Sequence, residues 1–220
     1  MLVIAFAFLL ATVNCNFIGI LGPEDPLIRA RRQVHGSSYL NFDGSSGANV
    51  KLPLAGNDKN SVSAIGGLNL DRTGHLSSSS VGLALDNVRG HGLSLTETRI
   101  PDFGKQLTAA GKLNLVNNDN HNLNANAFLT KNMPKFPEVP NFNTVGGSVD
   151  YMYKNKIGAS LGVSNTPYFQ RTDYSANGNL NLFRGSDSSL DFNAGYSKSV
   201  SPFMKSSWEP NFGLTFRKYF

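Results

Sequence analysis

Leu123-Asn124-Ala125-Asn126-Ala127-Phe128-Leu129 decides how the rest of the chain is read. Leucines and alanines hold the odd positions, and asparagines hold two of the three even ones, with Phe128 the third. A period of two places successive side chains on opposite faces of an extended strand, here one apolar and one polar. The same rhythm runs outward through Val81/Leu83/Leu85, Val145/Gly147/Val149/Tyr151/Tyr153, Ile157/Ala159/Leu161/Val163, Leu190/Phe192/Ala194/Tyr196 and Phe212/Leu214/Phe216. Turn-forming residues interrupt it at Asp43-Gly44, Ala55-Gly56-Asn57, Asn117–Asn120, Asn177-Gly178 and Gly185-Ser186-Asp187. The 22 Gly and 25 Asn are spread throughout, and both are poor helix formers, so no segment suits a long helix. The pattern predicts an all-β fold of about a dozen strands, an antiparallel meander, a β-barrel-like sheet or a sandwich.

The chain repeats itself. Gly111-Lys112-Leu113-Asn114-Leu115 returns 67 residues later as Gly178-Asn179-Leu180-Asn181-Leu182. The same offset joins Leu123 to Leu190, Asn126 to Asn193, Ala127 to Ala194 and Lys131 to Lys198. Pro140-Asn141-Phe142 reappears as Pro210-Asn211-Phe212 with a slip of three, and Gly66-Gly67-Leu68-Asn69-Leu70 is a fainter copy. One offset held across strands and turns indicates duplication of a multi-strand unit. Between the copies, Met133–Pro140 carries three prolines, either a stiff linker or a surface loop.

The N-terminus reads as processing signals. Leu2–Val13 is an uncharged apolar run of 12 residues, too short to span a bilayer and of signal-peptide length, with small residues at Val13 and Cys15 before a cut. Residues 16–32 then form a propeptide ending in Arg29-Ala30-Arg31-Arg32, an R-x-R-R site for a furin-like convertase. Cleavage there exposes Gln33, which can cyclise to pyroglutamate and lose the terminal charge. Cys15 is the lone cysteine, so the mature chain has no disulfide. With so much glycine it is open to loose order in water, its strands pairing on contact with a membrane.

No catalytic pattern emerges. The four histidines, His35, His75, His91 and His121, lack metal-ligand spacing, and no nucleophile elbow or phosphate loop is present. No enzyme activity, cofactor, metal or nucleic-acid partner is expected. Charge is uneven: residues 33–150 are neutral, whereas residues 151–220 hold eight Lys and Arg against four Asp and Glu. A basic end suggests an anionic partner. The closing strand, Trp208 to Phe220, sets Phe212, Leu214 and Phe216 on one face, with Arg217-Lys218 near its end. Its length suits a membrane-crossing strand, but a soluble strand with those aromatics in a core is the more ordinary reading.

Gly90-His91-Gly92-Leu93-Ser94-Leu95-Thr96-Glu97-Thr98-Arg99-Ile100-Pro101 resembles the insect attacins, as do Thr108–Lys112, Asn141–Gly147, Asp191–Gly195 and Lys205–Asn211. The R-x-R-R junction and Gln33 resemble that family's processing site. The resemblance implies an N-terminal region over 33–100 followed by glycine-rich repeats over 101–150 and 151–220. It also implies a secreted haemolymph protein of the humoral response, acting on the outer membrane and lipopolysaccharide of Gram-negative bacteria. On that view Lys154, Lys156, Arg217 and Lys218 are expected to meet lipopolysaccharide phosphates, with Trp208, Phe212 and Phe216 against the lipid. A cuticle-like structural protein and a soluble barrel holding an apolar ligand are the competing readings.

Overall fold

The computed structural model describes residues 34–41, 43–202 and 204–219. The apolar run, the propeptide, Arg29, Arg31, Arg32 and Gln33 lie outside the described residues. From His35 onward the chain is one compact unit.

Its strands are β1 (His35–Asn41), β2 (Ser46–Gly56), β3 (Asn60–Leu70), β4 (Leu76–Asn87), β5 (Gly92–Ile100), β6 (Gly104–Asn117) and β7 (His121–Pro134). They continue with β8 (Phe142–Tyr153), β9 (Ile157–Thr166), β10 (Arg171–Arg184), β11 (Ser188–Ser201), the two-residue β12 (Met204–Lys205) and β13 (Glu209–Tyr219). A 3₁₀ turn, Pro167–Phe169, links β9 to β10. Each strand pairs antiparallel with the next through β11, β13 lies on β11, and β1 pairs with β13, Leu40 opposite Phe216. Twelve strands thus close into an antiparallel barrel, and β12 hangs on β11 outside the cycle. Closure leaves none of the twelve with an unpaired edge.

The repeat is visible in the register. Gly111 faces Ala127 across β6–β7, and Gly178 faces Ala194 across β10–β11. Each hairpin carries a bulge at the corresponding place, between Asn114 and Val116 and between Asn181 and Phe183. The Asn177-Gly178 pair expected to turn is instead the middle of β10, since the chain pairs without interruption on both sides there. The proline-rich segment is the β7–β8 loop, residues 135–141.

Two rims result. The loop end carries the connections after β1, β3, β5, β7, β9 and β11. The terminal end carries the short turns 57–59, 88–91, 118–120, 154–156 and 185–187, together with the start of β1 and the end of β13.

Candidate membrane-facing surface

The barrel is inverted relative to a soluble one. Among the described residues no hydrophobic side chain is buried, and the buried side chains are Ser63, Asn132, Thr166, Ser189 and Asp191. The even positions of the deciding stretch, Asn124, Asn126 and Phe128, face the lumen, and Leu129 points outward at 49% exposure. Val81, Leu83, Leu95, Leu161 and Phe212 stand exposed on the same outer belt. The expectation of an ordinary core strand at the C-terminus is therefore corrected. Phe212 is 79% exposed and Phe216 45%, because β13 pairs with Ala194 and Leu190, whose side chains also face out.

Inside, polar side chains satisfy one another in rows that cross the strands. Gln106 Nε2 donates to Asn132 Oδ1 at 2.9 Å, Asn132 Nδ2 to Thr144 at 3.1 Å, and Thr144 meets Thr166 at 2.9 Å, joining β6 to β9. Asn179 donates to Asn193 at 2.7 Å, and Thr215 donates to Asn41 at 2.8 Å across the closing β13–β1 pair. Three luminal ion pairs add to this, Lys51 with Asp86 at 2.6 Å, Arg171 with Asp173 at 2.8 Å and Arg217 with Asp191 at 2.8 Å, while luminal Asp150 accepts from Asn126 and Ser148 instead. Asn, Ser and Thr fit such a wall because each can donate and accept at once.

At the belt's edges the outer face turns aromatic or charged. Near the terminal end His121 packs on Tyr151 and Tyr153, with ring centroids 5.9 and 5.4 Å away, and Lys154 Nζ lies 5.4 Å from the Tyr153 ring. Near the loop end the outward residues include Tyr174 and Tyr196, exposed at 42% and 55%. The apolar rows of β5, β6 and β7 run out there into Arg99, Lys105 and Lys131. Arg99 Nε donates to Glu97 Oε1 at 2.9 Å, and Lys105 Nζ lies 3.9 Å from the same oxygen. This trio is not evident from composition or motif. Its signal was phase, because 93, 95, 97 and 99 continue one face.

The residues expected to act together are parted by the fold. Phe212 and Phe216 lie on the belt, and half-exposed Trp208 precedes β13 at the loop end. Lys154 and Lys156 occupy a turn at the opposite, terminal end. Lys218 is at that end too, bonded to Asp187, whereas Arg217 points into the lumen. Among the described residues no three His, Cys, Asp or Glu side chains converge as metal ligands. The histidines are local: His91 Nδ1 accepts the Asn114 N–H at 3.2 Å, and His75 Nδ1 meets Thr73 at 2.8 Å.

Comparison with known proteins matches residues 34–99 to the attacin N-terminal region and residues 101–220 to the attacin C-terminal region. The chain belongs to the attacin family. Attacin-E of Hyalophora cecropia is 59% identical over 192 residues, covering 87% of this chain and 82% of that one. Defense protein 3 of Lonomia obliqua is 52% identical over 231 residues, 99% of this chain and 98% of its own. Membership in the attacins makes the chain an antibacterial effector of insect immunity. Among solved structures, an outer membrane channel from Pseudomonas putida F1 superposes with a TM-score of 0.58 at 9% identity, covering 84% of this chain and 94% of that one. The NanC porin gives 0.52 at 7% identity, covering 85% and 98%. At such identities the likeness is one of fold, and the attacin barrel shares that architecture.

Proposed function

We propose that this attacin is secreted, reaches the outer membrane of Gram-negative bacteria, and acts by seating its barrel in the bilayer without a chemical step. The observation that carries this reading is the inverted wall, leucines outside and hydrogen-bonded asparagines inside. In water, burying apolar surface is worth about 25 cal/mol per Å², and this belt leaves that gain unrealised until lipid covers it. Strands of nine or more residues, as β2 to β11 are, reach across a hydrocarbon core when tilted, and aromatic girdles flanking an apolar band belong to spanning barrels. Lipopolysaccharide phosphates are the anions offered to Lys154, Lys156 and Lys218 at the terminal end, while Trp208, Phe212 and Phe216 meet lipid. Arg217, ion-paired within, takes a structural part. Maturation by a furin-like convertase at Arg29, Arg31 and Arg32, leaving Gln33 first in the haemolymph form, belongs to the same reading. A lumen lined with asparagine and threonine offers an apolar ligand little, which weighs against the soluble-carrier alternative.

The test is Leu95→Arg. Arginine at a bilayer midplane costs about 2–4 kcal/mol in a spanning barrel, so partition into lipopolysaccharide-containing vesicles is expected to fall at least ~30-fold. Leu95 is 51% exposed, so the circular dichroism of the free protein should not change. Unaltered partition would reject the seated barrel. Unfolding of the variant would instead reveal a soluble core at that position.

A further inference from the structure

The two rims differ in chemistry. At the loop end Phe142 is the hub of a ring cluster, its centroid 6.4 Å from Phe103, 5.7 Å from Tyr168 and 4.9 Å from Phe169. These contacts tie three successive connections into one apolar knob, braced by the Lys135 N–H donating to the Phe103 carbonyl at 2.8 Å. Tyr168, Phe169, Phe136 and Trp208 remain about half exposed on this rim. This rim carries charge too, Asp43, Asp71, Asp102 and Glu138 against Arg72 and Lys135, with Lys135 Nζ 4.0 Å from Asp102.

At the terminal end the turns are tightly folded and, exposed Val88 apart, polar. Asn57 Oδ1 accepts the N–H groups of Lys59 and Asn60, and Asn118 Oδ1 those of Asn120 and His121. Lys154 and Asn155 take left-handed φ values of 48° and 54° to close their turn in three residues. Lys59, Arg89, Lys154 and Lys156 outnumber Asp58, Asp119 and Asp187, and Lys218 already answers Asp187.

We infer that this polarity sets the direction of insertion: the aromatic loop end enters the bilayer first and crosses it, and the terminal end stays on the side of arrival. Exposed rings gain by moving into the lipid interface, whereas the cationic excess of the terminal turns is held by anionic headgroups, which do not hold the acidic loop rim. The stationary rim's cations then rest on anionic headgroups, and the start of β1 and the end of β13 stay on the side from which the protein came. The inference rests on the seated-barrel reading above.

Two single-thiol variants, D119C in turn 118–120 and E138C in the β7–β8 loop, test it in a chain carrying Cys15→Ser and secreted from insect cells. They are mixed with vesicles of phosphatidylethanolamine and phosphatidylglycerol and treated with a membrane-impermeant maleimide. Quenching of Trp208, the single tryptophan, by brominated lipid reports insertion separately. The expected result is quenched Trp208, full labelling of D119C, and loss of E138C labelling until detergent opens the vesicles. The reverse labelling pattern, or equal labelling of the two with Trp208 quenched, overturns the direction and leaves the seated barrel standing. Unquenched Trp208 with both thiols open overturns the seated barrel and this inference together.

Discussion

Asp191 is 5% exposed, and Asn181, Ser189 and Arg217 all turn toward it, Asn181 at 2.6 Å and Arg217 at 2.8 Å. Removing one partner from a buried charged hydrogen bond costs about 1–3 kcal/mol. Arg217→Met is therefore expected to lower stability to urea by that order while leaving the vesicle affinity of folded molecules intact. An affinity loss without a stability loss would return Arg217 to the lipid contacts named from the sequence. A second residue-scale expectation concerns acid. The Asp71 carboxyl accepts from the Thr73 hydroxyl at 2.6 Å and the His75 N–H at 2.9 Å, and these bonds hold it below its ordinary range. A carboxyl lowered by folding adds stability that is present at neutral pH and lost as pH falls through the folded-state value. Melting curves of Asp71→Asn and the parent should thus differ near neutrality and converge in acid. A constant gap across pH would contradict the assignment. Arg217 and Lys218 look alike in the sequence, yet a strand's alternation sends one inward and one outward. Their roles became legible only once the faces were assigned.

Gly146 belongs to the element scale. A Cβ there would stand 2.6 Å from the Phe128 ring and 2.7 Å from the Val163 carbonyl oxygen, so β8 passes its neighbours with only hydrogen to spare. Overpacking of this kind costs typically 1–3 kcal/mol. Gly146→Ala should show that loss in thermal unfolding, and Phe128→Ala should not fully rescue it, because the carbonyl remains. Full rescue would place the whole clash at the ring. The strands themselves were readable, since each alternation quoted from the sequence lies on a strand. Their sidedness was not, because a period of two names two faces without saying which way the sheet curls. One clue was present: the polar face is asparagine, serine and threonine, which bond to each other, rather than the lysine and glutamate of a solvated face. The repeat was likewise legible, down to the matched bulges. Its slip of three at Pro-Asn-Phe is an odd number, so it reverses facing and leaves Phe142 with the loop-end rings while Phe212 turns to the outside.

The whole molecule presents in water a belt that monomeric proteins normally cover. Exposed apolar patches beyond a few hundred Å² drive association. Sedimentation should accordingly find self-association in plain buffer and a monomer in detergent. A stable monomer in buffer at high concentration would mean that the belt is covered by some other means. Charge at this scale was hard to read, because the excess counted in residues 151–220 is divided among rim, belt and lumen. The last structural consequence comes from the pairing of His35–Asn41 with Glu209–Tyr219. The barrel's earliest strand is sealed by its latest, so no ring can close until Glu209–Tyr219 has been made. Until that last strand is available the nascent sheet is an open curtain, and only then can it become a hoop.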